Sequence, residues 1–367
     1  MNINPRILWL RATARFDPPL LLFTMLLMGV GFVNIFSATY DSQNRLMAQL
    51  VNMSAAFVCM WVVAQIPPQK IARFAPFIYL TGVLLLLGVA TMGIVVNGAR
   101  RWLDLGVARI QPSEIMKIGV PLMLAWYFQK YEGVLRLRHF AVATLLLLVP
   151  VAFILKQPDL GTAILVGAAG FYVIFYAGLP WKIILGLITA AAASMPFAWN
   201  LLHDYQRRRV MTLLDPTSDP LGAGYHIIQG TIAIGSGGTL GKGWLQGTQT
   251  HLEFIPEKHT DFIFAVYSEE WGLLGNVVLL VLYALLIGRG LVIAGNAPTL
   301  FSRLLAGAIT LIFFTYAFVN MGMVSGILPV VGVPLPFVSY GGTALVTLFI
   351  GLGLLMSIQT HRMLVKR

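Results

Sequence analysis

Ten long apolar runs divide the chain, and most polar residues lie in the stretches between them. A helix needs about 20 apolar residues to cross the hydrocarbon layer of a bilayer, and these runs have about that length. The pattern therefore predicts an all-α polytopic membrane protein that forms a single domain over residues 1–367. The ten predicted transmembrane helices are 19–38, 47–66, 75–96, 113–128, 140–155, 160–178, 183–202, 262–287, 304–328 and 340–358.

One connection is much longer than the others, residues 203–261 between the seventh and eighth predicted helices. A structureless loop of that length is uncommon in a compact protein and is usually functional. Glycines cluster at 235–243 as turn signals, whereas 225–234 is apolar with Tyr225, Ile228 and Ile232 on one helical face. We predict a short interfacial helix there.

The composition places the chain in a membrane. Hydrophobic residues make up 58% and charged residues 11%, with a mean hydropathy of +0.81, whereas soluble proteins carry about 25% charged residues. A cytoplasmic N-terminus puts 14 basic and 2 acidic residues on the cytoplasmic side and 11 basic and 12 acidic residues on the other. This is the positive-inside asymmetry, so the net charge of +11 reflects topology and indicates no nucleic-acid partner. Ten spans predict that both termini are cytoplasmic and that 203–261 faces outward.

Charged residues at membrane depth are costly and are functional candidates by default. At the start of the fourth predicted helix, Glu114 and Lys117 lie three residues apart on one face, Ser113 can cap the helix, and Arg100 and Arg101 precede it. One interpretation is a cap plus an intrahelical ion pair. The other is a site for an anionic ligand, with the three basic residues as counter-charges. Both can be true.

Two further groups lie on the same predicted side. Asp159 opens the sixth predicted helix close to Lys156, a pattern typical of an N-cap. Arg207 and Arg209 follow the seventh predicted helix, where they suit lipid phosphates or a phosphorylated substrate, because guanidinium groups match phosphate oxygens. All four are candidate substrate-binding residues.

Asp261 stands where the long polar segment becomes an apolar helix. The position suits an N-cap, and it equally suits a carboxylate desolvated enough to act as a general base. Acidic and histidine residues at 251–261 could share Mg²⁺ or Mn²⁺ with a phosphate, but their spacing matches no zinc signature, and we assign no metal ligands. Glu269 and Glu270 lie two turns deeper.

These motifs together resemble the SEDS proteins (shape, elongation, division and sporulation), and the similarity covers nearly the whole chain. The motifs that carry it are RWLDLG at 101–106, QPSEIMK at 111–117, QPDLGT at 157–162, DYQR at 204–207, AIGSGG at 233–238, EFIPEKHTDFIF at 253–264 and GILPVVGVPLPFVSYGG at 326–342.

The resemblance implies a peptidoglycan glycosyltransferase that polymerises lipid II into glycan strands on the outer face of the cytoplasmic membrane. It implies that Asp261 is the essential carboxylate, that Glu114 and Lys117 are important, and that a class B penicillin-binding protein is the partner. It leaves two alternatives open. A lipid flippase would use the same intramembrane charges, and a non-catalytic scaffold would recruit cell-wall enzymes.

Overall fold

The computed structural model describes residues 16–39, 43–96, 99–104, 106, 109–201, 204–219, 222–252, 254–255 and 257–362. Ten long α-helices run through this part of the chain, and each coincides with one predicted transmembrane helix. They are α1 Pro18–Ala38, α2 Gln43–Ala64, α3 Pro68–Met92, α4 Pro112–Lys130, α5 Leu137–Lys156, α6 Leu160–Tyr176, α7 Trp181–Leu201, α11 Ile263–Gly295, α12 Leu300–Val324 and α13 Thr343–His361.

The all-α polytopic fold class is confirmed. Seven of these helices are long and apolar enough to cross a membrane by length and composition, and α6 and the first part of α7 are apolar but shorter. The remaining helix, α4, carries the buried Glu114 and Lys117 within its first turns. Of the described helices, α12 is buried along most of its length and packs against α4, α6, α11 and α13.

Local signals explain why two helices begin before their predicted starts. Pro67 and Pro68 open α3, where the fixed φ of proline suits the first helical turn. Thr299 caps α12 by accepting a hydrogen bond from the Ser302 amide.

Helix α3 ends at Met92, since the chain there turns into a small antiparallel sheet that the hydrophobic pattern did not predict. The strands are β1 Ile94–Val96, β2 Ala99–Asp104 and β3 Arg109–Ile110, paired in that order.

The long connection is largely helical where the structure describes it. It contains α8 Asp204–Leu214, a 3₁₀ turn at Pro216–Ser218, α9 Ala223–Ser236 and α10 Thr248–His251. The predicted helix at 225–234 is confirmed as α9, but its buried side is Ile227 and Ala233 with two glycines, not the predicted face. Gly224 lies close to the 3₁₀ turn and Gly230 lies close to Val324 and Phe262, and Ile232 stays exposed.

A break in α11 holds this connection in place. Gly272 has φ +62°, and residues 237–243 insert at the break. The amides of Lys242 and Gly243 donate to the carbonyls of Glu269 and Glu270 at 3.0 Å, so the insertion satisfies backbone groups that the break releases.

The Glu269 side chain completes this attachment. It is fully buried and accepts hydrogen bonds from Lys242 Nζ at 2.7 Å, Thr248 Oγ1 at 3.1 Å, the Gln249 amide at 3.0 Å and Thr250 Oγ1 at 3.3 Å. We call this group of five residues the loop latch. It ties the long connection to the first half of α11.

Candidate active site

A polar cavity of about 210 Å³ lies at one end of the helix bundle. Because successive spans alternate in direction, the ends of α3 and α12 meet the starts of α4, α6, α11 and α13 at this end. Its wall is built from β2, the first turns of α4 and α6, the segment after α12 and the start of α13. The lining polar residues are Arg101, Gln111, Glu114, Lys117, Asp159, Thr162 and Thr343.

Glu114 and Lys117 form the buried ion pair that their spacing predicted. Lys117 Nζ lies 2.5 Å from Glu114 Oε1 and donates to the Tyr316 hydroxyl of α12 at 2.6 Å. The second carboxylate oxygen, Glu114 Oε2, is buried without a partner. The predicted cap at Ser113 is wrong, because α4 starts at Pro112 and the buried Ser113 hydroxyl has no hydrogen-bond partner.

Asp159 performs the predicted capping role, accepting a hydrogen bond from the Thr162 amide at 3.1 Å. Its other oxygen, Oδ2, accepts from Gln111 Nε2 at 3.3 Å and lies 3.8 Å from Arg101 Nε. Arg101 also donates to the Pro158 carbonyl at 2.8 Å, which holds its guanidinium in the cavity wall.

The other predicted substrate-binding residues lie elsewhere. Lys156 is exposed and does not line the polar cavity. Arg207 donates to the carbonyls of Trp199 and Asn200 at 3.0 and 2.9 Å, so it caps the end of α7. The side chain of Arg209 lies outside the described part of the chain. A substrate role for these three residues stays a prediction.

Asp261 does not itself line the polar cavity, but it lies next to Gly332, which does. Gly332 has no side chain between its backbone and the Asp261 carboxylate. A Cβ atom placed on this glycine would lie 3.4 Å from Asp261 Oδ2, which shows how close the two residues are. Phe262 is the N-cap residue of α11 and no side chain caps this helix, so Asp261 does not have the capping role. Its backbone is instead held by Asn320, whose Nδ2 donates to the Asp261 carbonyl at 2.8 Å.

Burial, and to a lesser extent the negative charge of Glu257, raises the pKa of the Asp261 carboxyl to about 6. Glu257 lies in the turn before Asp261 with φ +49°, and its Oε2 accepts a hydrogen bond from Thr260 at 2.9 Å. A carboxylate with this pKa is largely ionised at neutral pH and is a stronger base than an exposed aspartate.

A second, apolar cavity of about 760 Å³ adjoins the polar one. It lies among α2, α3, α4 and α13 and is lined mainly by isoleucine, phenylalanine and other apolar side chains. Gln111, Glu114 and Thr343 line both cavities. The polar cavity carries two cations, Arg101 and Lys117, and two carboxylates, Glu114 and Asp159. An apolar space that meets such a charged space suits an amphiphile with a long hydrocarbon chain and a polar head.

Comparisons with known proteins show the family to which the chain belongs. Residues 18–364 match the family model for cell cycle proteins of the FtsW/RodA/SpoVE type. The chain belongs to this family. Peptidoglycan glycosyltransferase MrdB of Escherichia coli K12 is 50% identical over 367 residues, which cover 100% of this chain and 99% of that protein. Peptidoglycan glycosyltransferase RodA of Treponema pallidum is 31% identical, over 96% of this chain and 100% of that protein.

Two solved structures have the same fold as this FtsW/RodA/SpoVE family member. A chain from a peptidoglycan synthase complex that coordinates polymerization and crosslinking superposes with a TM-score of 0.83 at 37% identity, covering 95% of this chain and 98% of its own. The rod shape determining protein RodA of Thermus thermophilus gives a TM-score of 0.72 at 30% identity, covering 95% and 97%.

Several residues that build the candidate active site were not predicted from the sequence. Tyr316 binds Lys117, Gly332 separates Asp261 from the cavity, and Asn320 and Ser339 hold the backbone before α11. These residues lie in apolar helices or in the proline-rich segment after α12, where no local pattern marks them. Asn320 in an apolar run was the one available signal, because a buried amide needs hydrogen-bond partners.

Proposed function

We propose that this chain polymerises lipid II at the outer face of the cytoplasmic membrane, with Asp261 as the general base. The chain is a peptidoglycan glycosyltransferase, as its full-length relatives are. The observation that carries the proposal is the position of Asp261, a partly buried carboxylate next to Gly332, which lines a cavity that Arg101 and Lys117 also line.

The leaving group explains the need for cations. In lipid II the donor sugar is joined through its anomeric carbon to a polyprenyl diphosphate, so the bond breaks with negative charge developing on a phosphate oxygen. That oxygen needs charge neutralisation more than a proton. Lys117, which is buried, and Arg101, which is partly exposed, bring positive charge to the cavity, where electrostatic stabilisation is stronger than in water. Each is also paired with a carboxylate, Glu114 or Asp159, so the diphosphate would share these cations.

The acceptor explains the need for a base. A sugar hydroxyl attacks the anomeric carbon while Asp261 removes its proton, and the diphosphate departs from the opposite face. An α-linked donor then gives a β-linked product in one inverting step, without a covalent enzyme intermediate. A base with a pKa of about 6 combines ionisation at neutral pH with a useful proton affinity.

The apolar cavity explains how a membrane-bound substrate reaches this site. A polyprenyl chain fits among α2, α3, α4 and α13, and the shared residues Gln111, Glu114 and Thr343 place its head at the polar cavity. The lipid tail thus remains in an apolar environment during the reaction.

Three further parts belong to this proposal. Both termini are cytoplasmic and the active site faces the periplasm, which the positive-inside asymmetry supports. A class B penicillin-binding protein is the partner that crosslinks the strands, supported by the similarity to a chain of a peptidoglycan synthase complex. A divalent cation, Mg²⁺ or Mn²⁺, would supply further neutralisation of the charge on the diphosphate. Among the described residues, no group of three or more histidine, cysteine, aspartate or glutamate side chains could hold it.

The test is glycan polymerisation by the purified protein from lipid II, with and without the partner and Mn²⁺. Asp261→Asn should fold normally and lose activity by about 10²–10⁴-fold, because a near-isosteric amide cannot accept the proton. Asp215→Asn is the matched control, since Asp215 is exposed in the same connection. Wild-type polymer from Asp261→Asn contradicts the proposal, and translocation of labelled lipid II without polymer favours a flippase.

A further inference from the structure

Three consecutive backbone carbonyls lead into α11, and each accepts a hydrogen bond from outside its own loop. The His259 carbonyl binds the Tyr340 amide at 2.9 Å and the Thr260 carbonyl binds Ser339 Oγ at 2.7 Å. The Asp261 carbonyl binds Asn320 Nδ2 at 2.8 Å. Donors from α12 and from the segment after it therefore fix this backbone on one side.

Asn320 makes the most informative of these contacts, because its amide group binds two segments at once. It is fully buried in α12, and its Nδ2 also donates to the Val333 carbonyl at 2.7 Å. Val333 follows Gly332, the residue that Asp261 Oδ2 approaches. One side chain thus joins the backbone of Asp261 to the cavity wall that the Asp261 carboxylate meets.

The hydrogen bonding of Asn320 is incomplete. Its Nδ2 stabilises two backbone carbonyls that an apolar side chain would leave unpaired, but its buried Oδ1 has no hydrogen-bond partner and is destabilising. Buried helix positions are usually apolar, and exceptions such as Asn320 are expected at functional positions.

We infer that Asn320 is a positioning residue that acts through Asp261, holding its carboxylate at the Gly332 edge of the polar cavity. The inference rests on the proposed function, because it takes Asp261 as the base. A base must lie within hydrogen-bond reach of the proton that it accepts, and a displacement of about 1 Å can reduce the rate by about 10²-fold.

The groups around Asp261 determine how its pKa would change if its carboxylate moved. Glu257, Lys258 and His259 lie on its own loop, with Lys258 Nζ donating to the Thr250 carbonyl at 3.0 Å, and α9 places His226 against Phe262. The facing segment 331–340 contributes the titratable Tyr340 and no charged side chain. Because burial is the main cause of the raised pKa, a loosened Asp261 should gain water and its pKa should fall.

The experiment measures kcat, KM and the pH profile of lipid II polymerisation by purified full-length Asn320→Leu, with kcat normalised to the folded fraction. We expect kcat to fall by about 10²-fold with KM unchanged within about twofold. We also expect the acidic limb of the profile to move to lower pH. Asn296→Leu is the matched control, because Asn296 is an exposed asparagine at the other end of α11.

Two outcomes overturn the inference. One is a wild-type kcat and acidic limb in Asn320→Leu while Asp261→Asn is inactive. The other is a loss of kcat that disappears when kcat is normalised to the folded fraction, together with an unchanged acidic limb of the pH profile. That combination is expected of a purely structural role. An active Asp261→Asn would defeat the proposed function itself, so the two failures are distinguishable.

A second variant keeps the test decisive should Asn320→Leu not fold. Ser339→Ala removes the donor to the neighbouring Thr260 carbonyl. We expect it to lower kcat about 10-fold and to shift the acidic limb in the same direction. A wild-type kcat and limb in Ser339→Ala would then refute positioning of Asp261 by these donors.

Discussion

Two lysine–glutamate pairs in the described part of the chain each contain a buried glutamate, and they differ in what surrounds them. Glu114 and Lys117 line a cavity, and Glu114 Oε2, like the nearby Arg101 Nε, is buried without a hydrogen-bond partner. In the loop latch, both oxygens of Glu269 are bound, by two threonine hydroxyls and a backbone amide in addition to Lys242.

This difference separates a binding arrangement from a structural one. Polar atoms without a hydrogen-bond partner beside a cavity lower stability and are available to a ligand. A carboxylate whose two oxygens are both hydrogen-bonded has little remaining capacity to bind one. A buried ion pair alone is weak evidence for either role. What distinguishes the pairs is the cavity and the unpaired oxygen.

Lys117→Met gives the largest expected effect and tests the binding half of this comparison. We expect polymerisation to fall by at least about 10²-fold, because a fixed positive charge is removed from the site of the departing diphosphate. The free energy of unfolding should also fall by about 3–5 kcal/mol, since Glu114 is left as an unpaired buried charge. The measurements are kcat and thermal unfolding in detergent.

The control for Lys117→Met is the double variant Glu114→Gln/Lys117→Met, which removes both charges. Its stability should recover most of the loss, whereas its activity should stay low. A double variant with wild-type activity would show that the lysine contributes only by balancing the glutamate.

Lys242→Met tests the structural half. Removing the lysine takes one charged donor from Glu269, which keeps two hydroxyls and an amide, and Lys242 is itself partly exposed. We expect the free energy of unfolding to fall by about 2 kcal/mol, while kcat per folded molecule stays within about twofold of wild type. A 10²-fold loss of kcat in folded protein would contradict the assignment of the loop latch as structural.

The two pairs also show what the sequence can predict. The Glu114–Lys117 pair is three residues apart on one helix, and Asp159 caps the helix that it opens, so both follow from local spacing. Hydrophobic run length likewise predicts the helices, because a bilayer sets the length of a span.

Contacts between distant parts of the chain could not be predicted in this way. Lys242 and Glu269 are 27 residues apart and Asn320 is 59 residues from Asp261. The break at Gly272 is hidden within a continuous apolar run, and the sheet at 94–110 is too short to show a period of two. These features depend on tertiary packing, which overrides local preference.

Glu257→Gln examines a third arrangement, in which the negative charge of one carboxylate, Glu257, acts on another, Asp261. Polymerisation should require ionised Asp261, so activity rises as the pH passes upward through about 6. Removing the Glu257 charge lowers the pKa of Asp261, and the acidic limb should move to lower pH. The shift should stay below about one unit, because burial, the larger cause, remains. A shift to higher pH would contradict this assignment.

The smallest expected effects come from deleting one hydroxyl from each pair. Tyr316→Phe removes a hydrogen bond to Lys117, and Thr250→Val removes one to Glu269. Each should lower the free energy of unfolding by about 1 kcal/mol. Only Tyr316→Phe should also lower kcat, by about threefold to tenfold, because Lys117 then loses a group that orients it towards the cavity. Equal kcat values for the two variants, measured side by side with lipid II, would mean that the unpaired oxygen of Glu114 does not mark a ligand site.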